Sequence, residues 1–234
     1  MKRQFDAAQP ELMDQPQPVT PELARDLRNL RQLNRYFGSY RLIMYFLRRW
    51  IETGTSMRVL DLATGSGDIP RLIVDYARRI GAEVRVDAVD QQGSTLEIAR
   101  GLSSNYPEID FQEGDVLTFG EDKYDVVLCS LALHHFDENA AVQVLKRCHD
   151  ISKNYVLVAD LRRGFLATIG VELLTTLLFR EPMTRVDARL SAARAFSFGE
   201  LRLLAERAGW RNFGHRTFAF ARQAIWMEPG ITRV

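Results

Sequence analysis

The sequence predicts an α/β fold: a doubly wound, mostly parallel sheet with helices on both faces. Three observations predict it. Residues 58–80 pass from a short apolar run (Val59, Leu60, Leu62) through Gly65 and Gly67 into apolar residues at helical spacing: Ile69, Leu72, Ile73, Tyr76, Ala77 and Ile80. The same alternation of strand and helix pattern then repeats as far as residue 160. The chain closes on two β-like segments, 212–218 and 219–227, whose close spacing predicts an antiparallel pair at the sheet edge. In such a sheet the ligand crevice lies at the carboxyl ends of the strands, where the glycine turn stands.

Composition narrows the function. The 234 residues are 46% hydrophobic and 26% charged, ordinary for a globular protein large enough for a substantial core. A net charge of +1 gives no long-range field for nucleic acid or anionic lipid. Cys129 and Cys148 are the only cysteines, so a disulfide framework and a cysteine metal site are not expected; no metal-ligand spacing is present. The longest apolar run, 165–179, is interrupted by Glu172 and is shorter than the roughly 18 residues of a bilayer span. The amino terminus has no apolar signal core, which predicts a cytoplasmic protein.

Residues 1–19, rich in Gln, Pro and acids, are expected to be a flexible arm, with a single domain over 20–234. Thr20-Pro21-Glu22 reads as a helix start, and Leu23, Leu27, Leu30 and Leu33 supply its apolar stripe. The segment 34–40 breaks the stripe before a second helix over 41–51, so that 20–53 form a helical cover. The first strand and helix follow, with Gly81 as the helix stop. The second strand is 84–89, ended by Asp90. Ser94 and Glu97 stand at capping-box spacing for the next helix. Strands three to five are 109–112, 125–130 and 155–159, with Asp137 capping a helix that runs to about Cys148. After strand five the rhythm changes. An apolar helix is expected over 165–180, a break at Pro182 and a further helix over 187–196. This helical insertion, 165–196, suits an apolar ligand or a homodimer contact. Ser197 and Glu200 form another capping box, and Gly209 closes its helix.

The charges of the glycine turn select its ligand. Free N–H groups at a helix start favour an anion, yet Asp61 and Asp68 bracket the loop and no Lys or Arg lies between them. Each carboxylate–phosphate pair would be repulsive by roughly 4 kcal/mol at 4 Å and an effective dielectric of 20. A cationic compound with one small carboxylate fits better than a pyrophosphate.

Asp-Leu-Ala-Thr-Gly-Ser-Gly-Asp, residues 61–68, resembles the first motif of class I S-adenosylmethionine-dependent methyltransferases, nearest the branch of the ubiquinone/menaquinone C-methyltransferases. The likeness covers about 58–160. It implies a Rossmann-like seven-stranded sheet with an antiparallel last strand, S-adenosyl-L-methionine as cofactor, and leading helices that close over it. Ala63, Thr64, Gly65, Ser66 and Gly67 would form the cofactor loop, with Asp61 beneath the methionine ammonium. Asp90, at the end of strand two, would accept from the ribose hydroxyls, flanked by Gln91. Gly114-Asp115-Val116 resembles the family's adenine motif, in which the acid takes the amino group. Ser130 and Leu131 would meet the sulfonium side. His134 and His135 are the imidazoles nearest the expected crevice and are the candidates for a proton acceptor. Asn34, Tyr36, Tyr40 and Arg41 are candidates for the methionine end or the acceptor, and Arg162 and Arg163 for an acceptor oxyanion.

The Lys-Pro-Gly type turn of the quinone enzymes is replaced here by Asp160-Leu161-Arg162-Arg163-Gly164. The expected activity is therefore small-molecule methylation in the manner of secondary metabolism, on a phenol, quinol or polyketide-like acceptor, at oxygen or carbon. A nicotinamide-dependent oxidoreductase would want a glycine loop without bracketing acids and a Tyr-x-x-x-Lys relay, which the sequence lacks. An aminopropyl transferase would want more acids, and a non-catalytic cofactor-binding protein would differ only in turnover. Nucleic acid is disfavoured as a partner by the neutral charge and the missing Asn-Pro-Pro-Tyr type motif.

Overall fold

In the computed structural model, residues 2–6, 8–120, 123–164 and 182–230 are described. Seven strands form one sheet in the order β3-β2-β1-β4-β5-β7-β6. They are β1 (Ser56–Leu62), β2 (Glu83–Asp90), β3 (Ile109–Glu113), β4 (Tyr124–Ser130), β5 (Ser152–Leu161), β6 (Gly214–Phe218) and β7 (Arg222–Met227). β1 to β5 run parallel, and β7 pairs antiparallel with both β5 and β6. The strand order reverses between β1 and β4, and a crevice must open there because their following connections leave to opposite sides.

The central strands are buried on both faces, as their unbroken apolar runs require. One face packs under α2 (Ser39–Trp50), α3 (Asp68–Ile80) and α4 (Gly93–Leu102), with Phe46, Leu47, Ile73 and Leu96 fully buried. The other packs under α5 (Glu138–Asp150) and the helix Phe198–Arg207, through Val144, Leu145, Leu201 and Leu204. Above the crevice lie α1 (Pro21–Tyr36), α6 (Pro182–Arg194) and the docked residues 2–6 and 8–19; Phe198–Arg207 is α7.

Thr20 accepts from the Leu23 N–H, Asp137 caps α5, and Ser197 with Glu200 forms the reciprocal capping box. Three expectations are corrected. The Ser94–Glu97 box does not form, because Asp90 accepts the Gln92 N–H at 3.0 Å and the helix starts at Gly93. The helix expected over 187–196 starts earlier, at Pro182, where a proline at a first helical position loses no hydrogen bond, and ends at Arg194. The arm is not a free tail. Glu11 is 2% exposed, the Asp187 carboxylate accepts the Leu12 and Met13 N–H groups at 2.8 and 3.1 Å, and Arg3 stacks on Phe196. Those are polar partners that only the folded chain assembles. The helix expected over 165–180 lies outside the described residues. No helix among the described residues is long and apolar enough to cross a membrane.

Candidate functional site

A cavity of about 620 Å³ occupies the crevice. Its polar floor comes from the ends of β1, β2 and β4. After Leu62 the backbone turns at Ala63 (φ 57°), Gly65 (φ 56°) and Gly67 (φ 70°) before α3 begins. Left-handed conformation costs an ordinary residue roughly 1–2 kcal/mol, so Ala63 carries strain that the glycines avoid. Leu131, at the end of β4, has φ 56° and completes a second tight turn on the same rim. The loop is tied down from several sides. Thr64 N–H donates to the Val89 carbonyl at 2.9 Å, Gly65 N–H to Asp90 Oδ2 at 2.8 Å, and Thr64 Oγ1 to Asp61 Oδ2 at 2.7 Å.

Asp61 is 1% exposed, and its Oδ1 has no hydrogen-bond partner among the described residues. Burial pushes its carboxyl up to about 7, the Thr64 hydroxyl pulls against this, and Asp68 and Asp90 add to the rise. Asp90 is likewise raised, first by burial, while the Gln92 and Gly65 N–H groups oppose the rise. A buried carboxylate with one unpartnered oxygen, as at Asp61, favours a cation beside it.

Of the residues singled out in sequence, Ala63, Thr64, Gly65, Ser66, Asp90, Gln91, Val116, Ser130, Leu131, His134 and His135 line the cavity, as do Asn34 and Arg162. Asp61 lies just behind the loop. Gly67 sits at the start of α3, away from the lining. Asp115 does not reach the cavity: it is exposed, and its Oδ1 accepts the Leu117 N–H at 2.9 Å. Tyr40 donates to Asp68 at 2.8 Å and Asn34 to the same carboxylate at 3.2 Å, which ties the α1–α2 corner to the start of α3. Tyr36 is 64% exposed. Arg41 stands over the Phe220 ring, and Arg163 is turned to Glu200 at 2.6 Å.

Sequence reasoning missed several lining residues, among them the charged Glu11, Asp14, Arg31 and Arg222 and the aromatic Phe37 and Phe220. His135 Nδ1 lies 2.6 Å from Asp14, and His134 Nδ1 lies 2.6 Å from Asp160. Burial works against a charged His135, but Asp14 and Glu11 outweigh it and push the imidazole up to about 9. Arg31 Nη1 is buried without a hydrogen-bond partner among the described residues. Opposite the polar floor, Leu27, Leu30, Leu33, Phe37 and Phe220 make an apolar wall.

The strand order with one reversed strand, and a nucleoside-sized crevice at its switch point, define a Rossmann-like nucleoside-binding architecture. Residues 59–154 match the family described as "Methyltransferase domain". Over 81 residues the chain is 37% identical to 2-phytyl-1,4-naphtoquinone methyltransferase of Thermosynechococcus vestitus, covering 35% of each chain. In fold it is similar to a SAM-dependent methyltransferase from Aquifex aeolicus (TM-score 0.61, 16% identity, 89% of this chain and 98% of that one). It is also similar to human N-acetylserotonin methyltransferase in complex with SAM (TM-score 0.62, 18% identity, 88% and 55%). Residues 59–154 thus match a methyltransferase domain, and the matches in sequence and fold support a class I S-adenosylmethionine-dependent methyltransferase. It spans 26% to 45% of the length of curated relatives such as those from Dictyoglomus turgidum and Idiomarina loihiensis. The cofactor of this class is S-adenosylmethionine, and the unpartnered buried Asp61 oxygen beside a phosphate-unfriendly loop fits its cationic end.

Proposed function

We propose that this chain methylates a small, mainly apolar aromatic or enolic acceptor of phenol, quinol or polyketide-like type, at oxygen or carbon. The observation that supports the reading is a single cavity joining two unlike surfaces. One is the glycine loop with Asp90. The other is the apolar wall of α1, Phe37 and Phe220.

When bound, the cofactor supplies an electrophilic methyl group on a sulfonium. Asp90 takes the ribose hydroxyls through the lone pairs that its two N–H contacts leave open, with Gln91 beside it. Val116 packs at the adenine end, and the exposed Asp115 has no part there. Asp61, with the loop residues Ala63, Thr64, Gly65 and Ser66, serves the methionine ammonium. Arg31 holds the carboxylate with its unpaired Nη1. Ser130 and Leu131 border the reacting centre. The apolar wall orients the acceptor and excludes water, and positioning of this kind supplies about 7–11 kcal/mol of barrier reduction. His135, charged at neutral pH, donates to the acceptor oxygen and favours its ionised form, and Asp14 orients the ring. His134, bonded to Asp160, supports its neighbour.

Calorimetry with S-adenosylmethionine, S-adenosylhomocysteine and NADH in parallel, followed by an acceptor screen with methyl-labelled cofactor, tests the reading. We expect the two sulfur nucleosides to bind, NADH not to bind, and label to enter an aromatic or enolic acceptor. NADH binding alone, or no transfer to any such acceptor, overturns it.

A further inference from the structure

We propose that Glu11, His134 and His135 form a binding site for a borderline divalent transition-metal ion, Zn²⁺ in the first instance. The two histidines follow β4, while Glu11 arrives on the docked arm, so no spacing motif in the sequence announces the set.

Each of the three side chains offers one ligand atom, and these atoms all lie within 4.8 Å of one another. Glu11 Oε1 stands 3.9 Å from His134 Nε2 and 3.9 Å from His135 Nδ1. Metal bonds of about 2.0–2.1 Å at a tetrahedral angle place ligands roughly 3.3 Å apart. The two Glu11 distances need to contract by about half an ångström around an ion, and the two imidazole nitrogens, within 4.8 Å of each other, by at most about 1.5 Å.

The surroundings resemble the outer shell of a metal site. Ligating histidines characteristically use their other ring nitrogen to hold a carboxylate, which fixes ring orientation. His134 does this: Nδ1 meets Asp160 Oδ1 at 2.6 Å, and Asp160 Oδ2 accepts the His134 backbone N–H at 2.9 Å. Its Nε2 is left for Glu11. Glu11 is itself oriented by the Ser191 hydroxyl at 2.8 Å. Asp14, 2.6 Å from His135 Nδ1, stands ready as a fourth ligand once an ion displaces that hydrogen bond.

Charge favours a cation. Glu11 and His134 are 2% and 3% exposed. Three carboxylates, Glu11, Asp14 and Asp160, converge on the histidine pair. The guanidinium near Glu11, that of Arg194, stays 3.9 Å away and spends Nη2 on the Asp6 and Gln9 carbonyls. Two imidazoles with carboxylates suit zinc or ferrous ion over magnesium or calcium, which prefer all-oxygen shells. Glu11, Asp14 and both histidines line the cavity. If the methyl-transfer reading holds, a bound ion takes His135 as the neutral imidazole and replaces its positive charge beside the acceptor. Metal binding itself does not depend on that reading.

The test uses the untagged full chain, stripped with a chelator, loaded with Zn²⁺ and passed through a desalting column. We expect one zinc per chain by elemental analysis. Co²⁺ loading should give the strong visible absorption of a four- or five-coordinate nitrogen–oxygen site. Glu11→Gln and His135→Gln should each weaken Zn²⁺ binding at least tenfold while circular dichroism stays unchanged. No retained zinc in the wild type overturns the proposal, as does unaltered affinity in both variants. Should the variants not fold, a wild-type cobalt spectrum of the six-coordinate aquo ion is equally decisive against it. S-adenosylhomocysteine titration of the metal-free chain reports separately on the cofactor reading.

Discussion

Asp61 shows how one buried atom sets a condition on binding. Its carboxyl is raised from 3.8 to about 7 because burial disfavours the charge. The folded chain thus holds a proton there that the unfolded chain has already lost. The contribution to folding is full below pH 3.8 and disappears as pH rises through about 7. Binding of an ammonium requires the ionised form, so the sign reverses: affinity for S-adenosylmethionine should rise as pH rises toward and through 7. The expected slope is up to roughly tenfold per pH unit below 7, flat in Asp61→Asn, and calorimetry across that range checks it. Asp90→Ala should lose about 2–3 kcal/mol of cofactor affinity, the range for a charge-assisted hydrogen bond. Unchanged affinity by titration would remove the ribose from that place. The place of both aspartates near strand ends was readable in the sequence because each closes an apolar strand pattern. Asp115 was not: its side chain turned to the nearest free N–H, that of Leu117, a choice made by local geometry.

The elements divide by what holds them. β1 to β5 and α3 to α5 could be read from periodicity, since strand and helix patterns there agree with burial. The docked residues 2–6 and 8–19 could not, because their order comes from partners distant in sequence. The Asp187 carboxylate, on α6, accepts the Leu12 and Met13 N–H groups. Asp187→Ala should therefore speed hydrogen exchange at those two amides while leaving the β1 and β4 amides protected, as mass spectrometry would show. At the sheet edge, His215 stacks on Phe198 at 3.7 Å, and burial pushes its imidazole down to about 4. Its folded value lies below the ordinary 6.5, so the unfolded chain takes the proton first. Stability at this hairpin is full above pH 6.5 and falls as pH drops toward 4. His215→Phe should shift the acid-unfolding midpoint to lower pH in circular dichroism, by removing the group that must charge.

At the scale of the molecule, the proposed small acceptor accords with a net charge of +1 and a partly apolar crevice of about 620 Å³. Non-specific nucleic-acid binding depends on phosphate neutralisation by basic side chains. Anisotropy with labelled duplex DNA at low salt should show no saturable binding, and tight binding would reverse the inference about acceptor class.

The sequence by itself determined the layered α/β architecture, the cofactor class and the glycine turn at the crevice. These follow from short-range patterns: apolar period, glycine placement and the acids at strand ends. Only the tertiary structure decided that the arm lies in the crevice, that Glu11 and Asp14 meet the histidine pair, that Arg31 enters the cavity and that Asp115 leaves it. Those meetings depend on contacts between residues far apart in the chain, and the energy that fixes them comes from burial and pairing that no local pattern records.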